Sequence, residues 1–120
     1  LPALSCGFFS IAVLNINNIR DIESDKAAGK YSIPVRIGRN KAITYHWLLL
    51  IAGFGTAVAH SFVTYRSAYQ FLFLPVALLL VRNGQAIASL PSEKLDPYLK
   101  QMALTTLLFV ILFGTGLLLA

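Results

Sequence analysis

The sequence predicts an all-helical membrane protein that crosses the bilayer four times. Four intervals carry no Asp, Glu, Lys or Arg, namely residues 1–19, 42–65, 67–81 and 101–120, and a helix needs about 20 apolar residues to span the hydrocarbon. Of the 120 residues, 57% are hydrophobic and 12% are charged, with a mean hydropathy of +0.69. Because a soluble domain carries about 25% charged residues, this composition favours a polytopic membrane protein.

The first two spans flank a polar loop. We expect four helices with a loop over residues 26–40, and the helices are predicted at about residues 1–25, 41–64, 67–90 and 97–120. The first apolar run ends in asparagines and charged residues. Asn40 is a plausible N-cap for the second helix, and Gly29, Pro34 and Gly38 divide the loop so that one short surface helix fits within it.

The third and fourth spans are joined by a second polar loop. The third apolar run is short, so it must borrow length from residues 83–90 or let Arg82 extend toward the interface. Pro75 lies within this run and is expected to bend the helix. Asp96 and Pro97 are a suitable N-cap and first-turn pair for the last helix.

The basic residues are distributed unevenly along the chain. Six of the ten lie within residues 20–41 and three more within residues 82–100, which leaves Arg66 in the second connection. Because an excess of Lys and Arg marks cytoplasmic loops, we expect loops 20–41 and 82–100 to face the cytoplasm. The net charge of +5 is thereby assigned to membrane topology, and no nucleic acid partner is expected.

A polar stretch, LNINNIRDIESDKAAGK at residues 14–30, ends the first predicted helix. Such groups are costly next to hydrocarbon, so their position requires a reason. If the helix continues through this stretch, its 100° step per residue places four oxygen-bearing side chains within an arc of roughly 100°: Asn17, Asn18, Asp21 and Asp25. Glu23 falls roughly 160° from Asp21 on the same wheel and is assigned to the solvated surface.

Spacing alone leaves two interpretations of this face open. Residues four apart rise about 6 Å, which suits Asp21 and Asp25 to two ions that bridge an extended anion such as diphosphate. Mg²⁺ fits this role because it prefers oxygen ligands and takes only one or two carboxylates. The basic residues that could neutralise the remaining charge are Arg20, Lys26, Lys30, Arg36 and Arg39. Alternatively, the charges form only an i,i+3 and i,i+4 lattice at a helix end.

The longer string NINNIRDIESDKAAGKYSIPVRIG, residues 15–38, closely resembles the second Asp-rich motif and adjoining loop of the UbiA superfamily of intramembrane prenyltransferases. It is most similar to the branch that acts on 1,4-dihydroxy-2-naphthoate, whose pattern is NNxRDxxxDxxAGKxTxxVRxG. Ser32 replaces the usual Thr. The matching residues are Asn17, Asn18, Arg20, Asp21, Asp25, Ala28, Gly29, Lys30, Val35, Arg36 and Gly38. A weaker similarity extends to LDPYL at residues 95–99, before the last helix.

The resemblance implies a fold and a position within it. Members have nine helices and two Asp-rich motifs, the first of the type NDxxDxxxD on an early helix. No such motif occurs in these residues, so the chain is expected to be the C-terminal part, roughly helices six to nine. The N-terminal helices of the same protein are then its partners, and the chain by itself is not expected to be a competent enzyme.

The resemblance also implies residue roles. Mg²⁺ would be held by Asp21 and Asp25 with support from Asn17, and a polyprenyl diphosphate donor would be contacted by Lys26, Lys30 and Arg36, with Arg20 either joining them or pairing with a carboxylate. Asp21 and Asp25 are the expected catalytic residues. The implied reaction transfers the polyprenyl group to 1,4-dihydroxy-2-naphthoate with decarboxylation, giving demethylmenaquinone for menaquinone biosynthesis. Residues 31–39 would form part of a cap over the site.

Two alternatives stay open at this point. The acceptor could instead be homogentisate, 4-hydroxybenzoate or a chlorophyllide-type substrate. A second class is a non-catalytic four-helix membrane protein whose charged loop binds anionic lipid or a partner. Arg39 and Lys41 are assigned to topology near the lipid headgroups rather than to chemistry.

Overall fold

The structure, a computed structural model, describes residues 2–120, apart from the side chains of residues 2 and 92. It contains six α-helices, namely α1 (Pro2–Arg20), α2 (Ile22–Ala27), α3 (Ile33–Ile37), α4 (Arg39–Val63), α5 (Val76–Ser89) and α6 (Asp96–Leu119). Two short 3₁₀ segments, Ala68–Phe71 and Ser92–Lys94, precede α5 and α6. No β-strand occurs within the described residues, so the all-α prediction is confirmed.

Three segments of residues 2–120 are long and apolar enough to cross a membrane. They are Arg39–Val63, Ala68–Ser89 and Asp96–Leu119, with mean hydropathies of 1.5, 1.6 and 2.3. The chain is therefore an integral membrane protein. The fourth predicted span, which α1 would form, is not among these three segments and stays a prediction.

The two longest helices begin close to their predicted positions, but their first residues differ from the expected caps. Helix α4 starts at Arg39 after Gly38, whose φ of 85° favours glycine, so Asn40 lies inside the helix and is not its N-cap. Helix α6 starts at Asp96, and Leu95 occupies the N-cap position without a side-chain capping bond. The expectation that Asp96 caps α6 is therefore wrong, and its carboxylate is free to bind elsewhere.

The predicted third helix, about residues 67–90, is interrupted at Pro75. The chain first coils as the 3₁₀ segment Ala68–Phe71, passes through hydrogen-bonded turns, and becomes α-helical only at Val76. Pro75 occupies the N-cap position of α5. Proline has no N–H and its ring clashes with the preceding helical turn, so it is accommodated at the start of a helix rather than within one.

The predicted first helix, about residues 1–25, is also interrupted. Helix α1 ends at Arg20, Asp21 has φ −98° and ψ 15°, and α2 starts at Ile22. Asp side chains compete with the backbone for hydrogen bonds and favour helix ends, and the Asp21 side chain is drawn toward Arg20 at 2.9 Å. The Asp21 carbonyl also accepts a bond from the Ser24 hydroxyl at 3.2 Å.

Helix α1 packs against α4 and α6, while α5 packs against α4 and α6. Aromatic rings fill the centre of this arrangement. The ring centroids of Phe9 and Phe109 are 5.0 Å apart, and those of Phe73 and Phe113 are 5.3 Å apart, both edge-to-face, a favourable aromatic geometry. This apolar core holds the polar end of α1 beside the start of α6.

Candidate functional site

The polar end of α1 keeps the predicted four-residue spacing despite the break at Asp21. The Asp21 N–H donates to the Asn17 carbonyl at 3.1 Å, and the Asp25 N–H donates to the Asp21 carbonyl at 2.8 Å. These i to i−4 bonds are those of an α-helix. Asn17, Asp21 and Asp25 therefore still lie on successive turns, as the sequence predicted.

The guanidinium of Arg20 binds this row of oxygen-bearing side chains. Its Nε donates to Asp21 Oδ1 at 2.9 Å, and its Nη2 donates to Asp21 Oδ2 at 3.2 Å and to Asn17 Oδ1 at 2.6 Å. Its Nη1 donates to Asp96 Oδ1, on α6, at 2.6 Å. Of the two roles expected for Arg20, the structure displays the pairing with a carboxylate.

These contacts keep Asp21 ionised. The hydrogen bonds from Arg20 lower the pKa of the Asp21 carboxyl, partial burial opposes that shift, and the positive charges of Arg20 and Lys30 add to it. An ionised carboxylate is the form that binds a metal ion. The effect of Lys30 also indicates that its ammonium lies within electrostatic reach of Asp21.

The end of α2 explains how Lys30 reaches this position. The Gly29 N–H donates to the Lys26 carbonyl at 3.2 Å, and the Lys30 N–H donates to the Asp25 carbonyl at 2.8 Å. Gly29 has a φ of 77°, and this pattern is a Schellman motif, which reverses the chain at a helix end. The glycine thus directs Lys30 back toward the turn that carries Asp25.

The other predicted basic residues lie farther along the surface. Lys26 is exposed on α2, and Arg36 is exposed on α3, where its Nε donates to the Tyr31 carbonyl at 3.0 Å. Buried Pro34 anchors α3, which contacts α1, α2 and α4. The structure therefore brings Asn17, Arg20 and Asp21 into one hydrogen-bonded cluster, whereas Arg36 is bonded within its own loop.

The donor set fits a hard divalent cation. Asn17, Asp21 and Asp25 offer amide and carboxylate oxygens, the ligands that Mg²⁺ prefers. Asp25 Oδ2 is shielded from solvent without a hydrogen-bond partner among the described residues, which is costly for a carboxylate unless another group completes its environment. Residues 2–120 hold no group of three His, Cys, Asp or Glu side chains arranged for a metal ion.

Sequence reasoning missed two residues near this cluster. Asp96 was assigned to a helix cap, but it binds Arg20 from α6. Asn15 was not singled out, yet it is buried and its Nδ2 donates to the Ala42 carbonyl on α4 at 3.1 Å. The chain contains only five acids, two of them after residue 25, and that scarcity is the one signal in the sequence that could have drawn attention to Asp96.

A second polar cluster joins α4, α5 and α6 inside the bundle. His46 Nε2 and Asn83 Oδ1 are 2.8 Å apart, and both side chains are fully buried. Asn83 Nδ2 donates to the Tyr98 carbonyl at 3.0 Å and to Gln101 Oε1 at 2.6 Å. This cluster fixes the first turns of α6, the helix that carries Asp96.

The fold and the site together define a class of protein: a helical integral membrane protein with an oxygen-rich, base-flanked site at one end of its bundle. Residues 1–104 match the UbiA prenyltransferase family. The chain belongs to this family, as its Asp-rich motif indicated.

Two curated relatives carry the same name. The chain is 42% identical over 120 residues to a 1,4-dihydroxy-2-naphthoate octaprenyltransferase of Haemophilus influenzae, covering 98% of this chain and 39% of that protein. It is 37% identical over 120 residues to the Escherichia coli protein of that name, covering 92% of this chain and 38% of that protein. The chain thus spans about two fifths of the length of these relatives. No solved structure matches it significantly.

Proposed function

We propose that this chain is the diphosphate-binding C-terminal part of a Mg²⁺-dependent prenyltransferase that transfers a polyprenyl group to 1,4-dihydroxy-2-naphthoate in menaquinone biosynthesis. The observation that carries the proposal is the row of Asn17, Asp21 and Asp25, with Lys30 turned back toward it, in a member of the UbiA family. The names of the two relatives support the naphthoate as acceptor. The preceding helices would supply the first Asp-rich motif.

The residues divide into oxygen ligands and basic groups. Asn17, Asp21 and Asp25 would hold Mg²⁺, and the bound ion would neutralise the charge that develops on the diphosphate as it leaves. Among the described residues, Asp25 Oδ2 is shielded from solvent and has no hydrogen-bond partner, so a bound cation would complete its environment. The proposed diphosphate contacts are Arg20, Lys26, Lys30 and Arg36.

The reaction breaks the allylic C–O bond of the donor, and its electron pair departs with the diphosphate. The ring carbon that bears the carboxylate forms the new C–C bond, and carbon dioxide leaves from that carbon. Basic side chains stabilise the departing negative charge, because preorganised donors act strongly where water is excluded. Helix α3, held by buried Pro34 against α1 and α4, would form part of the cap that excludes water from the electrophilic carbon.

The proposed membrane arrangement follows from charge and contact. Loops 20–41 and 82–100 meet through the Arg20–Asp96 pair, so they belong to the same side of the bundle. Their nine basic residues favour the cytoplasmic side of a bacterial inner membrane. The diphosphate site would then open where the charged donor is available.

The test uses membranes that contain the full-length protein, incubated with 1,4-dihydroxy-2-naphthoate, a polyprenyl diphosphate and Mg²⁺. Demethylmenaquinone, measured by chromatography after air oxidation of the product, is expected with this acceptor and not with homogentisate or 4-hydroxybenzoate. Asp25→Asn should reduce product formation at least about a hundredfold, which corresponds to roughly 3 kcal/mol of lost transition-state stabilisation.

Glu23→Gln is the matched control, since it removes the same charge from an exposed position of α2 and should leave the rate within about twofold of wild type. Equal product from wild type and Asp25→Asn would refute the site. Product from another acceptor alone would refute the naphthoate assignment, and no product from any acceptor would favour a non-catalytic lipid-binding or partner-binding protein.

A further inference from the structure

Arg20 holds two carboxylates on opposite parts of one guanidinium: Asp21, between α1 and α2, and Asp96, the first residue of α6. Nε and Nη2 face Asp21 and Asn17, while Nη1 faces Asp96, 76 residues farther along the chain. The side chains of Arg20 and Asp21 are 29% and 31% exposed, and that of Asp96 is 64% exposed. The contact therefore links the proposed metal site to the first residue of α6.

The oxygens that Arg20 holds are the ones proposed to bind the metal ion. Asn17 Oδ1 and both oxygens of Asp21 accept hydrogen bonds from it. An arginine stays protonated in proteins, so it cannot give way by losing its charge. A divalent cation and Arg20 thus compete for the side chains of Asn17 and Asp21. A second carboxylate partner that attracts Arg20 away from them favours binding of the cation.

Asp96 is that partner, and it has no capping role to explain its position. Leu95 occupies the N-cap position of α6, and none of the side chains that the structure describes caps the helix. If Asp96 lost its charge, Asp21 would be the one carboxylate left on the guanidinium, and the Arg20–Asp21 pair would become tighter. The metal ion would then have to displace a stronger competitor.

We propose that Asp96 is a positioning residue of the site: it draws Arg20 toward α6 and leaves the oxygens of Asn17 and Asp21 available to the divalent cation. The inference rests on the proposed function, because it concerns the same metal–diphosphate site. It assigns a role in this site to a residue of the loop 82–100, which lies outside the Asp-rich motif.

The experiment measures cation binding without turnover. The full-length protein, purified in detergent, is titrated with Mn²⁺ in the presence of inorganic pyrophosphate, and free Mn²⁺ is followed by electron paramagnetic resonance. Asp96→Asn should raise the half-saturating Mn²⁺ concentration about threefold to fivefold, the upper part of the scale of an exposed ion pair. Glu93→Gln, which removes an exposed charge three residues away, should change it by less than about twofold.

A double-mutant cycle separates positioning from a general charge effect. In an Arg20→Gln background, Asp96→Asn should have almost no effect, because there is no guanidinium left to position. An equal effect in both backgrounds, an equal effect of Glu93→Gln, or no effect of Asp96→Asn would each overturn the inference.

Folding is monitored by size-exclusion elution and thermal melting of each variant. If Asp96→Asn does not fold, Asp96→Glu carries the test: it keeps the carboxylate and should bind Mn²⁺ within about twofold of wild type, whereas weakening by about threefold or more, as expected for loss of the charge, would overturn the proposal. If wild-type protein does not bind Mn²⁺ with pyrophosphate, the proposed function fails and this inference fails with it. Wild-type binding with an unaffected Asp96→Asn variant overturns this inference alone.

Discussion

Replacing Asn83 with leucine should destabilise the bundle more than any other polar substitution on α5. Asn83 is fully buried and makes three hydrogen bonds, to His46 on α4 and to Tyr98 and Gln101 on α6. Leucine has the same branched arrangement of four side-chain heavy atoms as asparagine, so the change removes the bonds without opening a cavity. The atoms of His46, Tyr98 and Gln101 that bond to Asn83 stay buried and lose this hydrogen-bond partner.

The size of the effect follows from those three bonds. Side-chain hydrogen bonds between membrane helices contribute about 0.6 kcal/mol on average and up to about 1.7 kcal/mol. Three bonds therefore give an expected loss of about 2 kcal/mol in the free energy of unfolding, with an upper limit of about 5 kcal/mol. A loss of 2 kcal/mol changes the ratio of folded to unfolded protein roughly thirtyfold.

The measurement is reversible unfolding of the full-length protein in mixed micelles with increasing SDS. Gln85→Leu is the matched control, because it removes an amide from an exposed position of the same helix and should change the unfolding free energy by less than about 0.5 kcal/mol. If the unfolding free energy of Asn83→Leu also differs from that of wild type by less than about 0.5 kcal/mol, the buried cluster does not hold α4, α5 and α6 together and the reasoning is refuted.

Two further predictions concern the proposed diphosphate contact and the broken third span. Lys30→Gln should raise KM for the polyprenyl diphosphate about tenfold through loss of a charge-assisted contact, while Lys41→Gln in the same kinetic assay should not; equal KM values would contradict the role of Lys30. A Cβ at position 116, as in Gly116→Ala, would clash with the Tyr69 carbonyl oxygen, whereas a Cβ on Gly114 meets nothing within 4 Å. Unfolding should therefore show Gly116→Ala to be less stable than Gly114→Ala by about 1–3 kcal/mol, and equal stabilities would contradict the packing of the 3₁₀ segment on α6.

The predictable part of the fold is the part governed by long apolar runs. The runs that form α4 and α6 contain no proline beyond the first turn and no charge in their centre, and the observed Arg39–Val63 and Asp96–Leu119 start and end within two residues of the predicted bounds. Pro75 was expected to bend the third helix, but it interrupts it. Hydropathy does not distinguish a bent helix from an interrupted one. The difference depends on whether the 3₁₀ segment can pack tightly on α6 at Gly116.

The predictable part of the site is local. The spacing of Asn17, Asp21 and Asp25 followed from helical geometry, and the backbone bonds of the structure preserve it. The partners of Arg20 were less predictable, since the sequence allowed it to bind either diphosphate or a carboxylate. Its bond to Asp96 spans 76 residues, and no local pattern in the sequence specifies which distant acid α6 brings to the end of α1.

The start of α6 is held from both sides, and this arrangement connects the site to the rest of the bundle. Asn83 binds the Tyr98 carbonyl from within the bundle, and Arg20 binds Asp96 at its polar end. Arg39, at the start of α4, donates to the carbonyl of Leu90, which lies within the loop 82–100. The polar loops 20–41 and 82–100, which are distant in sequence, are thereby joined. If the proposed metal site is correct, a change in residues 82–100 should affect it even though the Asp-rich motif lies entirely within residues 15–38.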